Sequence, residues 1–241
     1  MFKQWQKGLM LFFGLTLTVS AAIAQEEELE RDPWEGLNRN LYVVHKGLDA
    51  RFLRPLAVSY NAILPPPARS SVTNFFRNVN EIPNTINSIL QAKPKQALIG
   101  TSRFLINSTL GIAGLFDVAT KFGIERKPAD FGQTLSVWGW KKSTFIIVPL
   151  LGPTTLRDGL GIGADYYLTP WPYLPDNIDW TAFGIYVISA RASYLDSEAL
   201  LNAAALDEYA FIRDAYLQNR AAFISGGAPP AEEYYDDNWY E

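Results

Sequence analysis

Apolar residues recur along this chain at helical spacing, yet polar amides and glycines fall repeatedly between them. Leu41, Val44, Leu48, Phe52 and Leu56 sit near a 3.6-residue repeat and predict a helix. Asp32 before Pro33, with Glu35 three positions on, predicts where it starts: a capping carboxylate, a proline in the first turn and a second carboxylate reaching back. Pro55 is expected to kink that helix, and Pro65-Pro66-Pro67 to end it. From Arg69 to Ile89, the positions Val72, Phe75, Phe76, Val79, Ile82, Ile86 and Ile89 predict two short amphipathic helices divided at Pro83. Asn74, Asn78, Asn80, Asn84 and Asn87 lie between them, which fits either an exposed amide face over a core-facing stripe or helices lying flat at a membrane.

Lys93-Pro94-Lys95 opens the next helix, through Ala97, Leu98, Thr101, Phe104, Leu105 and Ser108. Gly100, Gly111 and Gly114 serve either close helix approach or plain turns. Arg103 and Asp117 stand in an apolar stretch where an unpaired charge is costly, so they are expected to pair. The span 121–142 reads as loop, with Glu125, Arg126 and Lys127 solvated and Asp130 capping a short turn that carries Phe131. Thr144 to Leu151 is β-branched and aliphatic, predicting an extended piece or hairpin broken by Gly152-Pro153. Thr155 with Asp158 three residues later resembles a capping box for a helix through Leu160 and Ile162. Tyr166, Tyr167, Trp171, Tyr173 and Trp180, interrupted by prolines, have the composition of an interfacial aromatic belt, and ordinary core aromatics are the alternative. Residues 180–195 read as a helix, and 207–224 as a more surface-like one with Glu208, Arg213, Asp214 and Arg220 on its polar side.

The ends differ from the body. Residues 1–24 read as a signal peptide, with Lys3 and Lys7, the apolar run Leu9 to Val19 and the small-residue site Ala22-Ile23-Ala24. Residues 25–31 are an acidic linker, 32–227 one helical domain, and 228–241 an acidic, proline-containing tail expected to be disordered. The stretch Arg103 to Asp158 is too interrupted for a membrane span and too apolar for an ordinary loop, which suits backbone turning inside protein beside lipid.

Composition removes several classes of chemistry. The 241 residues are 48% hydrophobic and 14% aromatic, enough for one sizeable core. A net charge of -4 argues against a nucleic-acid partner, because neutralising phosphates needs a surplus of Lys and Arg on one face. Cysteine is absent, so there is no disulfide framework and no thiol chemistry. The one histidine, His45, cannot by itself build a metal centre, and no metal or other cofactor is expected. Gly159, Gly161 and Gly163 lack the spacing and context of a nucleotide-binding loop. No Ser/His/Asp or paired-carboxylate arrangement stands out, so the protein is not expected to be an enzyme.

Several blocks together carry a resemblance. They are Asp32-Pro33-Trp34-Glu35-Gly36-Leu37-Asn38-Arg39; Asn74-Phe75 with Asn78; Arg103-Phe104 with Asn107, Gly111, Gly114 and Phe116-Asp117; Asp130-Phe131-Gly132-Gln133-Thr134-Leu135; Pro149 to Gly152-Pro153 and Arg157-Asp158; then Tyr194-Leu195-Asp196 and Asp214-Ala215-Tyr216. In this order they resemble the MlaA/VacJ family of Gram-negative outer-membrane lipid-trafficking proteins. The resemblance implies a mainly α, single-domain fold of amphipathic helices forming a ring or cleft in the inner leaflet of the outer membrane, with little β-structure. It implies intermembrane phospholipid transport that removes mislocalised phospholipid and keeps the outer membrane asymmetric. The implied partners are phospholipid, an outer-membrane porin trimer and a soluble periplasmic lipid carrier, with no nucleic acid. A scaffold that binds a porin but moves no lipid is the alternative. Asn74, Phe75, Phe76, Asn78, Leu151, Gly152 and Pro153 are expected to border the lipid route. Well-known family members have a cysteine at the processing site; this chain has none, so attachment is expected to come from the folded body or a partner.

Overall fold

The computed structural model describes residues 32–198 and 206–226. The expected signal peptide, acidic linker and acidic tail lie outside them. Ten α-helices, one π-helical turn, a short 3-10 turn at Trp171–Tyr173 and one small hairpin are bounded within the described residues.

Helix α1 (Glu35–Leu48) passes through a π-helical turn, Asp49–Leu53, into α2 (Arg54–Ile63). Pro55 explains the turn. It has no N–H to donate and its ring crowds the preceding carbonyls, so the helix widens for one turn before it. The triple proline ends α2 as expected and also opens α3 (Pro66–Val79), whose first turn can dispense with those N–H groups. The break to α4 (Glu81–Leu90) falls at Asn80, not at Pro83, because Pro83 lies in the first turn of α4 where its missing donor costs nothing. Helix α5 (Pro94–Thr109) follows. Helix α6 (Val118–Lys121) precedes the span expected to be loop, and α7 (Phe131–Val137) lies inside it; each is capped by an aspartate, Asp117 accepting from the Thr120 N–H and Asp130 from the Gln133 N–H.

Strands β1 (Phe145–Val148) and β2 (Gly152–Thr155) form an antiparallel hairpin. Gly152-Pro153 therefore does not break the extended segment but begins its second strand, Gly152 opposite Val148 and Pro153 opposite Ile147. The reversal falls one step earlier, with Leu150 at φ +72° and Gly152 at φ +87°. Thr155 caps α8 (Leu156–Leu168) by accepting from the Asp158 N–H, as its spacing predicts. Helix α9 (Asp176–Ser193) starts ahead of the expected Trp180, since Pro175 sets its entry and Asp176 and Asp179 fill its first turn. Helix α10 (Glu208–Ile224) ends the described chain.

Contacts between elements close on themselves. From α1 they pass through the π-turn to α2, then to α9, α3, α4, α7, α8 and β2, and return through β1 to α1. This circuit makes one helical domain, in keeping with the expected ring or cleft. Its apolar core is small: Tyr42, Phe145, Ile147 and Tyr209, flanked by Leu41, Ile212, Tyr216 and Leu217, where α10 clamps the hairpin onto α1. None of the described helices is long and apolar enough to cross a membrane.

Candidate functional site

The polarity of this fold is inverted. Among the described residues, fully buried side chains are more often polar or charged than apolar, and large apolar side chains crowd the outside. Ile63 is 77% exposed, Leu98 69% and Trp180 70%, and they are joined outside by Val43, Phe52, Leu105 and Leu160. Scattered exposed apolar residues are ordinary, but this many, over a polar interior, mark a surface whose solvent is not water alone.

Inside, α4 is the organiser. Its amides turn inward, which removes the alternative of an exposed amide face over a core-facing stripe. Asn84 donates to Glu81 at 2.6 Å, and Asn87 donates to Asp165 of α8 at 2.6 Å while accepting from Thr134 of α7 at 2.8 Å. Gln91 extends the line, donating to Thr134 at 2.9 Å. Asp165 also accepts from the Phe131 N–H at 3.0 Å, so one carboxylate ties three helices. Burial pushes it up to about 6, against the pull of those two bonds.

A second network fixes α4 against α5. Arg103 meets Glu81 at 3.1 Å and Asp117 at 2.8 Å, donates to Thr120 at 2.9 Å, and reaches the Ile124 carbonyl. The expected Arg103–Asp117 pair is present. Arg126, expected to be solvated, instead lies 3.2 Å from Glu81 and supplies a second cation to that buried carboxylate. Burial alone would raise Asp117; bonds from Thr120 and Arg103 outweigh it and hold the group below its ordinary range. Asn107 accepts from the Ala119 N–H and donates to Asp117 at 3.0 Å, locking the turn after α5. Gly114, at φ +88°, sits in that turn, and an added Cβ there would stand 2.5 Å from the Asn78 Cβ. Gly111 is equally confined, with the Phe116 carbonyl oxygen 2.2 Å from an added Cβ. Phe104 is part-exposed on α5.

The third network joins α7, α8 and α10. Asp158 is buried and accepts from Arg157 at 2.9 Å and from Arg220 at 2.8 Å, while Arg220 also grips Asp130 at 2.6 Å. Burial would raise Asp158, but the two guanidinium groups win and hold it low. Gly132 permits this crossing, because a Cβ there would lie 2.4 Å from Asp158 Oδ1. The polar side of α10 therefore faces inward through Arg213 and Arg220, correcting the surface-like reading. Asp32 does not cap α1 either. It is buried, accepting from Asn38 at 2.8 Å and from the Tyr209 hydroxyl, and Asn38 in turn bonds the Phe145 carbonyl at 3.1 Å and the Ile147 N–H at 3.0 Å. Pro33 is exposed beside it, and Glu35 pairs with Arg39 at 2.6 Å instead of reaching back.

The residues expected to border a lipid route occupy two places. In α3, Phe75 and Phe76 pack on Trp171 with centroids 6.1 and 5.9 Å apart, and Phe76 also meets Tyr186 at 5.4 Å. Asn78 donates to Ser108 at 2.9 Å and Asn74 to the Leu115 carbonyl at 3.5 Å. Leu151, Gly152 and Pro153 stand on the hairpin, with Leu151 exposed and Gly152 near the His45 ring. No hydrogen bond or ring contact among the described residues joins the two groups. Sequence reasoning missed Glu81, Asp165 and Tyr209; only Glu81 carried a signal, an acid in an apolar-and-amide helix without a cation at i+4.

Comparison with known proteins adds a decisive finding to this geometry. A family profile described as MlaA lipoprotein matches residues 30–223. The chain belongs to the MlaA lipoprotein family. It is 35% identical to the Intermembrane phospholipid transport system lipoprotein MlaA of Escherichia coli K12, covering 94% of each chain. The protein of the same name from Haemophilus influenzae is 29% identical, over 81% of this chain and 80% of its own. A solved chain from work on the structural basis for maintenance of bacterial outer membrane lipid asymmetry superposes with a TM-score of 0.71 at 35% identity, covering 80% of this chain and 98% of that one. The MlaA resemblance carried by the sequence blocks and the helical fold it implied are both upheld.

Proposed function

We propose that this protein moves phospholipid between membranes, giving phospholipid that has reached the outer leaflet of the outer membrane a route to the periplasm. One observation carries the reading: apolar side chains on the outside and a hydrogen-bonded polar interior, in a member of the MlaA family. Withdrawing both tails of a phospholipid into water costs about 0.8 kcal/mol for each methylene. Dragging its headgroup through hydrocarbon is costly as well. A body seated in the inner leaflet, apolar toward lipid and polar within, lowers both barriers without a reaction. The exposed apolar faces also serve as the anchor, which matters because the sequence holds no cysteine for an acyl chain. In this reading a porin trimer holds the protein at the outer membrane and a soluble periplasmic carrier takes the lipid away.

Asn74, Phe75, Phe76 and Asn78 on one side and Leu151, Gly152 and Pro153 on the other border the route in this proposal. Photo-crosslinking groups at 74, 75 and 151 capture phospholipid in cells, while groups at the exposed α10 positions 218 and 219 do not; uniform capture rejects the placement. The function itself is tested by deleting the gene in the host organism. Phospholipid then accumulates in the outer leaflet and the wild-type gene reverses it. An unchanged outer leaflet with porin association intact leaves only the scaffold reading.

A further inference from the structure

Two exposed aromatic patches stand on the described fold, and their charged fringes have opposite sign. Tyr173 and Trp180, around the start of α9, are accompanied by Asp176 and Asp179. The other patch forms where α4 and α7 end. Its apolar part is Ile89 and Leu90 from α4 with Val137, Trp138 and Trp140 from α7 and the turn after it, all exposed. Its charges are lysines: Lys93 and Lys95 flank the proline that opens α5, just past Leu90, and Lys141 follows Trp140. Lys46 and Lys127 elsewhere have carboxylate partners, but among the described residues none reaches Lys93, Lys95 or Lys141. The acids of the adjoining α7 and α8 are engaged within the fold, Asp130 and Asp158 by Arg220 and Arg157, and Asp165 by Asn87.

This patch is held in shape from behind. The Trp138 indole N–H donates to the Leu90 carbonyl at 3.2 Å, which joins the two helix ends, and its ring meets Phe131 edge-on with centroids 5.9 Å apart. The Trp140 N–H donates to the Leu135 carbonyl at 2.9 Å. Beneath the turn, the buried Arg157 guanidinium donates to the Trp140 and Lys141 carbonyls, each at 3.1 Å. Lys93 is positioned too, its Nζ donating to Gln91 Oε1 at 2.8 Å while Gln91 donates to Thr134 of α7. Exposed indoles fixed in this way lose little conformational freedom when they dock. Indoles favour the membrane-water boundary, and lysine stems lie along apolar surface with the ammonium in the polar layer.

We propose that the joined ends of α4 and α7 form a docking surface for the headgroup layer of an anionic phospholipid bilayer. Ile89, Trp138 and Trp140 enter the boundary, and Lys93, Lys95 and Lys141 meet lipid phosphates. Charge decides the occupant: in a chain of net charge -4 this patch carries a local surplus of cations, for which a zwitterionic bilayer or an uncharged partner surface offers no counterpart. The proposal rests on the reading that the protein works seated in a phospholipid layer, and it adds which face meets the headgroups and which lipid charge that face selects.

The test measures partition of the full-length mature protein, by flotation with graded amounts of lipid, onto phosphatidylcholine vesicles and onto vesicles of phosphatidylcholine and phosphatidylglycerol in equal parts. Wild type binds the mixed vesicles more tightly, and added salt removes the difference. Lys95→Gln and Lys141→Gln each weaken binding to the mixed vesicles about fivefold, the loss expected for one lysine at an anionic surface, and leave binding to phosphatidylcholine unchanged. Arg51→Gln, which removes an exposed cation from the π-helical turn, changes neither. Trp140→Ala weakens binding to both kinds of vesicle. Equal binding of wild type to both overturns the proposal, and so does an equal loss for Arg51→Gln, which would mean that only overall charge counts. A dimer in solution that Trp140→Ala dissolves, with vesicle binding unchanged, gives the patch to a second copy and overturns it too. No flotation with either vesicle overturns it together with the seating. Failure of this proposal alone leaves wild type floating equally with both vesicles while its gene still restores outer-leaflet asymmetry; failure of the transport reading leaves asymmetry unrestored.

Discussion

Arg103 donates to acceptors on Glu81, Asp117, Thr120 and Ile124, and it is 3% exposed. Removing one partner of such a pair leaves the other charged and buried, at a cost of about 3–5 kcal/mol. Arg103→Leu should therefore lower stability in detergent by roughly that amount. Arg39→Ala, which removes a solvent-exposed pair with Asp207, should cost under about 1 kcal/mol. Chemical denaturation of both variants compares them directly; equal effects contradict the assignment of Arg103 to the framework. Asp165 makes a different prediction. Its folded pKa, about 6, lies above the ordinary 3.8. The native state thus takes up a proton that the unfolded chain does not, and stability from this group rises as pH falls from above 6 toward 4. The stability of wild type relative to Asp165→Asn should grow across that interval, read from melting curves at stepped pH. At this scale the legible features were local ones. The caps at Asp130 and Thr155 act within three residues, so spacing reveals them, whereas Asp117, expected only as the partner of Arg103, also caps α6. Asp32 meets Tyr209 across 177 positions and Arg220 meets Asp130 across 90, and no local pattern encodes either.

Helix α5 shows how one element serves two environments. Gly100 faces α4, where an added Cβ would lie 2.6 Å from Thr85 Oγ1, while Leu98 and Leu105 point outward. Gly100→Ala is expected to destabilise the α4–α5 contact by about 1–3 kcal/mol through overpacking. Leu98→Ser with Leu105→Ser should leave the detergent-solubilised fold almost unchanged yet weaken vesicle binding, because each leucine removed from hydrocarbon forfeits about 1.5–3 kcal/mol. A vesicle flotation assay beside a thermal melt separates the two effects. The helices themselves were legible because their apolar repeat is the same whether the apolar face meets a core or lipid. For the same reason the orientation of the amides was not: periodicity shows that Asn84 and Asn87 share a side, but not which side meets solvent. Pro83 misled the boundary because a proline three residues into a helix and a proline that ends one look alike in sequence.

For the whole molecule, the closed circuit of element contacts and the inverted polarity are one fact seen twice. Water-soluble domains gain stability by hiding apolar surface. Here the apolar core is confined to the hairpin clamp, and the α3–α4–α5 and α7–α8–α10 junctions are held by amides and ion pairs. Such junctions suit a body whose outside is wetted by acyl chains, where hydrophobic association between helices no longer drives packing. The most direct test incubates the detergent-free mature protein with phospholipid vesicles and measures quenching of tryptophan fluorescence by lipids brominated along their acyl chains. Trp180, 70% exposed, is the main reporter, and the exposed Trp138 and Trp140 are further ones. Strong quenching and co-flotation with the vesicles are the predicted result; a monodisperse protein that stays in the aqueous fraction, its tryptophans unquenched, contradicts the account.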